Sequence, residues 1–254
     1  AQVVWLRFAL HVLIMAAVLA PTRGRALVAV NSWRLQALRG SLMVVMTALN
    51  FFALQHLQLA ETGAIQFSVP LLIALMSAWW LHEKLDARRW AAIAAGFAGV
   101  LLVMRPGSAA FHPAILLSVA NAVLYAVFNL LTRKMAATET PESMQWFSAL
   151  LATLWITPLA LPAWQWPAGA GMWSVWAVAL LCGAMGGLGH LAVAQAHRHA
   201  SAAVLGPFLY QQILSMTLLG WLVFGQVPDL FVVSGALVVV GSGLYLLWLE
   251  VRRA

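Results

Sequence analysis

Acidic side chains are scarce in this chain: seven Asp and Glu stand against fourteen Lys and Arg among 254 residues, of which 8% are charged and 63% hydrophobic. So little polar material cannot coat a water-soluble globule of this size, which excludes a soluble enzyme or soluble binding domain. One cysteine, Cys182, excludes an intrachain disulfide and leaves the redox compartment undefined. No Gly-rich phosphate cradle occurs, so nucleotide hydrolysis by this chain alone is excluded. The acidic residues Glu61, Glu83, Asp86, Glu139, Glu142, Asp229 and Glu250 all fall in loops or at predicted helix ends, so no carboxylate is expected at mid-membrane depth, where a proton carrier usually sits. His190, His197 and His199 have no Cys or carboxylate to complete a ligand set, and neither metal nor cofactor is expected. The net charge of +7 would suggest nucleic acid in a soluble domain. Here the cations flank apolar runs and face lipid headgroups, and nucleic acid is not an expected partner.

What the chain has in abundance is long apolar runs. A helix of about 17 to 25 apolar residues crosses a hydrocarbon core of roughly 30 Å while satisfying its own backbone polar groups. Nine such spans are predicted, over 3–20, 38–57, 62–82, 88–104, 113–133, 144–163, 173–195, 201–224 and 230–249, making the chain an all-α polytopic membrane protein. Pro21, Pro106 with Gly107, Pro141, Pro162, Pro167 and Pro228 mark the turns. Twelve of the fourteen basic residues fall in alternate gaps: Arg23, Arg25, Arg34 and Arg39; Lys84, Arg88 and Arg89; Arg133 and Lys134; Arg198; Arg252 and Arg253. The opposite gaps hold Arg105 alone, and Arg7 lies inside the first span. Because cytoplasmic loops retain Lys and Arg, the C-terminus is expected inside, in a bacterial-type inner membrane. Trp79, Trp80, Trp90, Trp146 and Trp248 mark the inner interface, and Trp5, Trp164, Trp166, Trp173 and Trp221 the outer one.

Offsetting the chain against itself by 143 or 144 positions aligns Gly63 with Gly206, Asp86 with Asp229 and Gly99 with Gly243. In each half a helix ends in a short polar hinge, Leu81-His82-Glu83-Lys84-Leu85-Asp86 or Phe224-Gly225-Gln226-Val227-Pro228-Asp229, followed by a helix rich in small residues. The first hinge is basic and the second has no Lys or Arg, as expected if the halves enter the membrane in opposite orientation. The expected division is 1–107, with four visible helices, and 108–254, an inverted second repeat with five. An inverted 5+5 arrangement then lacks its first helix in this chain. Inverted repeats suit carriers with two conformations of similar energy opening to opposite sides.

The run Ala64-Ile65-Gln66-Phe67-Ser68-Val69-Pro70-Leu71, then Leu81-His82-Glu83-Lys84-Leu85 and Ala95-Gly96-Phe97-Ala98-Gly99-Val100 ending in Arg105-Pro106-Gly107, resembles the first repeat of EamA-type members of the drug/metabolite transporter superfamily. Gly206-Pro207-Phe208-Leu209-Tyr210, Phe224-Gly225-Gln226-Val227-Pro228-Asp229 and Gly241-Ser242-Gly243-Leu244-Tyr245 resemble the second. The resemblance covers nearly the whole chain. It implies ten helices, both termini cytoplasmic, and carriage of small organic metabolites, often outward. These motifs serve turns and packing more than substrate choice.

Polar groups inside spans need a partner helix or a cavity. At mid-depth lie His11, Asn50, Asn121, Tyr125, Trp155, Tyr210 and Gln211; Arg7 and Gln66 sit nearer the outside, Asn129 and His190 nearer the inside. Arg7 and His11 are spaced i, i+4, as are Asn121, Tyr125 and Asn129, so each set shares a helix face. Such a stripe fits a cavity lining and equally fits interhelical hydrogen bonding; for Arg7 the alternative is snorkelling to outer headgroups. Pro70 and Pro207 interrupt their helices. Gly183-x-x-x-Gly187, Ala92-x-x-x-Gly96 and Ala95-x-x-x-Gly99 read as close-packing faces. The expected cavity candidates are Arg7, His11, Asn50, Gln66, Asn121, Tyr125, Trp155, Tyr210 and Gln211, suited to neutral, zwitterionic or weakly anionic molecules. Amino acids and flavin-like or nucleoside-like metabolites fit that chemistry. The expectation is therefore a secondary carrier, probing lipid on one side and a small-molecule substrate on the other, as a monomer or homodimer. The alternatives are an intramembrane enzyme using His190, or His11 with Tyr125, and a scaffold subunit whose polar groups only join helices.

Overall fold

Long apolar runs with polar interruptions become helical rods in the computed structural model, which describes residues 1–24, 28–80, 86–166, 169, 171–199 and 211–252. The helices are α1 (Gln2–Arg23), α2 (Trp33–Ala53), α3 (Leu59–Gln66), α4 (Val69–Trp80), α5 (Ala87–Met104), α6 (Ile115–Met135), α7 (Pro141–Ala160), α8 (Met172–His199), α9 (Gln211–Phe224) and α10 (Leu230–Val251). Among the described residues no strand occurs, and seven spans are long and apolar enough to cross a membrane, with α3 and α4 counted together over Leu59–Met76. The chain is an all-helical, multi-pass membrane protein. The predicted span 62–82 is thus broken at Phe67 and Ser68, just ahead of Pro70. Of the predicted span 201–224, residues 201–210 lie outside the described residues.

Packing divides the described chain into two compact units, Ala1–Ala48 with Leu131–His199, and Leu49–Leu130 with Ala200–Ala254. Each takes residues from both 1–107 and 108–254, so packing partitions the chain differently from the repeat in sequence. In the first unit α1 packs along α7 and α8. The glycines of α8 permit this: a Cβ on Gly183 would sit 2.6 Å from Leu10 Cδ1 and one on Gly187 3.5 Å from His11 Cα. The indole of Trp5 donates to Thr157 Oγ1 at 2.9 Å and meets Trp164 edge-on at 5.6 Å, with Trp166 and Trp176 beside it. Three of the tryptophans predicted at the outer interface therefore gather at one level.

In the second unit the most extensive packing joins α5 to α10. The two helices run antiparallel. Arg105, which closes α5, pairs with Asp229, which opens α10, at 2.6 Å; at the other end Asp86 and Arg88 share a cavity with Trp248 and Arg252. Nearer the Arg105–Asp229 end, backbone meets backbone, because Gly99 and Gly235 have no Cβ: one on Gly99 would lie 2.8 Å from the Gly235 oxygen, and one on Gly235 2.7 Å from the Gly99 oxygen. Asp86 and Asp229 are N-caps of these helices, accepting from Arg89 N and Val232 N at 2.9 Å each. A core of Ala64, Ile65, Leu71, Val103, Ala122, Ala126 and Val239 fills the space around the pair.

Arg105 holds a left-handed backbone conformation, φ 46°, unusual for a residue with a Cβ. Its guanidinium bonds Asp229 and lies 5.3 Å from the Phe231 ring centre, two contacts that offset the strain. The Val232 N–H, foremost, and then the Arg105 guanidinium hold the Asp229 carboxyl below the usual carboxylate range, against some desolvation. A carboxyl so lowered contributes stability above its unfolded value, and that stability is lost as pH falls through the folded value. Asp229 is well exposed, so the contribution is small. Asp229→Asn keeps a capping side chain but no charge. Its melting temperature should lie slightly below wild type at neutral pH, and the two curves should converge on acidification below about pH 4. Parallel curves would remove the ion pair from the stability of this end.

Candidate functional site

Arg7 and His11 leave α1 on one face, as their spacing predicts. The Arg7 Nη1 donates to the hydroxyl of buried Thr47 at 2.9 Å, and its guanidinium lies 5.1 Å from the Phe8 ring centre. Gly186 of α8 makes room for it: a Cβ there would stand 3.4 Å from Arg7 Nε. His11 is 2% exposed, and its Nε2 lies 3.1 Å from Met15 Sδ. Trp155, on α7 in the same unit, is 59% exposed. The first unit thus holds a half-buried cation with a hydroxyl partner, and a buried imidazole one turn away.

The second unit brings together two residues that the sequence placed on separate helices. Asn121 of α6, 7% exposed, donates through Nδ2 to Gln66 Oε1 at 3.3 Å. Gln66 is the last residue of α3, directly before the break. The break has a local cause. Pro70 has no N–H to offer the Gln66 carbonyl, and Ser68 instead donates through both its backbone N–H and its hydroxyl to the Ile65 oxygen, at 2.9 and 2.7 Å. One turn along α6 from Asn121, Tyr125 is 39% exposed and its ring stacks with Phe128 at 6.1 Å. Asn129 does not continue the stripe, because its amide donates to the Tyr125 carbonyl at 2.7 Å and is held by its own helix. Asn50 is half-buried near the end of α2. Tyr210 lies outside the described residues, as does the side chain of Gln211. Glu61, expected in a loop or at a helix end, caps α3: its Oε2 accepts from Gln58 N at 2.8 Å.

A broken membrane helix with a buried carboxamide at the break and a partly open aromatic face nearby is a small polar platform in an apolar setting. The family model of EamA-like transporters matches residues 1–105 and 112–248. The chain belongs to this family. It is 33% identical over 191 residues to a riboflavin transporter of Vibrio cholerae, a match covering 75% of this chain and 63% of that one. It is 24% identical over 186 residues to an S-adenosylmethionine uptake transporter of Rickettsia felis, covering 73% and 62%, and 24% identical over 203 residues to a pseudopaline exporter of Pseudomonas aeruginosa, covering 80% and 70%. The chain therefore spans under two thirds of the length of the first two. These relatives are named as transporters, not enzymes. A solved crystal structure covers 99% of this chain and 88% of its own, with a TM-score of 0.66 and 23% identity, and shares the fold.

In this EamA-like chain, sequence reading missed a second polar cluster. Arg39, assigned to a basic loop, is 1% exposed two turns into α2. Its Nε donates to Thr132 Oγ1 at 3.0 Å, and its Nη1 to the Met144 carbonyl at 2.7 Å and to Ser148 Oγ. Glu139 and Glu142, also assigned to loops or helix ends, are buried there too. Glu139 Oε1 accepts from the backbone N–H groups of Asn31 and Ser32 at 2.9 and 2.8 Å, capping α2, and Glu142 pairs with Arg23 at 3.2 Å. The signal was present: Asn31-Ser32 ahead of Trp33 is a helix-start pattern, which moves the predicted start at residue 38 back and shifts Arg39 from the helix end to two turns within it. Because Lys has one ammonium where Arg39 uses two nitrogens in a fixed fork, Arg39→Lys should destabilise the protein by about 2 kcal/mol. Thermal unfolding in detergent measures this, with exposed Arg34→Lys as the comparison. Equal melting temperatures would dismiss the fork.

Proposed function

We propose that this protein is a secondary transporter of small organic metabolites of the flavin-like or nucleoside-like class, moving them across the inner membrane by alternating access. The observation that carries this reading is the Gln66–Asn121 carboxamide pair at a break in a membrane-spanning helix, 3.3 Å apart, with Asn121 buried and Gln66 half-buried. Broken helices within a bilayer persist where they line a cavity, and carriers place substrate there. Paired carboxamides offer both a donor and an acceptor. They match the imide or amidine edge of a planar heterocycle, and the half-open Tyr125 ring gives that plane a face to stack on. Riboflavin and S-adenosylmethionine, named for two of the relatives, both carry such an edge on an aromatic ring system, which favours heterocycles over simple amino acids.

Alternating access follows from two inverted repeats, 1–107 and 108–254. The antiparallel α5 and α10 support the inversion, because their matched caps Asp86 and Asp229 stand at opposite ends of the pair. Basic-residue sidedness puts the C-terminus in the cytoplasm. No described carboxylate is hydrogen-bonded to the Gln66–Asn121 pair, so exchange or uniport, driven by the gradients of the solutes themselves, is the simplest mode. Counterflow in liposomes tests the reading: protein loaded inside with excess unlabelled riboflavin should accumulate labelled riboflavin faster than labelled leucine with excess leucine inside. No accumulation of any heterocycle would leave the polar groups as helix-joining contacts in a scaffold.

A further inference from the structure

Where α5 begins and α10 ends, a cavity of about 380 Å³ is lined by Asp86, Ala87, Arg88, Trp248, Leu249 and Arg252. Asp86 is occupied in capping α5 through Arg89 N. Among the described residues, the cations lining the cavity are Arg88 and Arg252, both at exposed positions. Arg252 lies over the Trp248 ring, 3.7 Å from its centre, and Tyr245 stacks with the same indole at 5.7 Å and 22°. Trp90 is exposed one turn into α5, and farther along α10 on the Trp248 side the exposed residues include the aliphatic Leu244 and Leu237. Along one side of the pair, a cationic tier is followed by an aromatic tier and then an aliphatic one. That is the order of phosphate, glycerol–carbonyl region and acyl chain in one membrane leaflet.

We propose that this cavity seats the head group of an acidic phospholipid, with its phosphate between Arg88 and Arg252 and its glycerol region against Trp248 and Tyr245. Two guanidiniums favour a head group of net negative charge over a zwitterionic one, whose own ammonium they would repel. The aromatic and aliphatic tiers commit the site to a lipid, since a free phosphate ion has nothing to place on them. The site is independent of the carboxamide pair and of what the protein carries.

Native mass spectrometry of the whole chain in micelles doped with phosphatidylglycerol or phosphatidylcholine tests the assignment. Wild type should retain one tightly held phosphatidylglycerol and little phosphatidylcholine, with retention falling as salt rises. Arg88→Gln or Arg252→Gln should weaken retention about fivefold, and the pair about thirtyfold. Arg34→Gln should leave it unchanged, because Arg34 also lies over an indole, Trp33, at 5.8 Å but is an exposed cation outside this cavity. Equal retention of phosphatidylcholine, an equal loss in Arg34→Gln, or displacement of the lipid by inorganic phosphate overturns the proposal. If the double variant fails to fold, wild type answers alone: phosphatidylglycerol with a photoreactive head group should label peptides around residues 87–90 and 248–252. Labelling spread evenly over the other basic loops overturns it as well.

Discussion

Gly235→Leu should abolish folded protein. A Cβ at this position would stand 2.6 Å from Val103 Cγ2, 2.7 Å from the Gly99 carbonyl oxygen and 3.1 Å from Val103 N. Two of those three obstacles are backbone atoms, which no rotamer change can move. The remedy is to separate α5 from α10, and that opens the largest packed surface of the second unit along its length. Ordinary overpacking costs about 1 to 3 kcal/mol when side chains absorb it. Here the helices themselves must part, and a loss of the order of the whole stability of a typical domain, about 5 to 15 kcal/mol, is the expected scale. Gly241→Leu is the matched control, because a Cβ there meets nothing within 4 Å. Size-exclusion profiles of detergent-solubilised variants should show a monodisperse peak for Gly241→Leu and none for Gly235→Leu. A normal peak and melting temperature for Gly235→Leu would disprove the backbone-to-backbone crossing.

Asn121→Ala should cost at least tenfold in counterflow rate while leaving folded yield near wild type. The side chain has one described hydrogen bond, to Gln66, at the long distance of 3.3 Å. Its removal strips little from stability, about 1 kcal/mol. If the pair reads the heterocycle edge, the same truncation removes a directional contact and leaves Gln66 without its orienting partner, which is worth another tenfold or more. Tyr125→Phe should be nearly silent and Tyr125→Ala strongly impaired, because the proposed role rests on the ring face and not on the hydroxyl. Rate loss that merely follows loss of yield across the three variants would assign both residues to packing.

Some of this was legible in the chain and some was not, for reasons that differ by residue. The rods were legible because a lipid-spanning helix must be apolar over its whole length. The hinge aspartates were legible because N-caps have few substitutes, and Asp86 and Asp229 both cap the helices that follow them. Pro70 announced a break without giving its place; the helix stops at Phe67 and Ser68, where the serine hydroxyl takes over the Ile65 carbonyl. The stripe Asn121, Tyr125, Asn129 was only half informative. Helical spacing tells which side chains share a face but not whether one folds back onto its own carbonyl, as Asn129 does. Arg39 was hidden by sidedness itself, since counting cations for orientation treats each as solvated. Its burial depends on Thr132, Met144 and Ser148, nearly a hundred or more positions away.

The interruption at Phe67 leaves α3 as a helix of eight residues, about 12 Å long. A rod that short ends inside the hydrocarbon, and the negative pole of its peptide dipoles, equivalent to roughly half an elementary charge, is delivered there without any acidic side chain. Gln66 stands at that pole. Beyond Phe67 and Ser68, α4 opens at Val69 with its positive pole toward the same break, so the interruption sets two opposed main-chain poles beside one carboxamide.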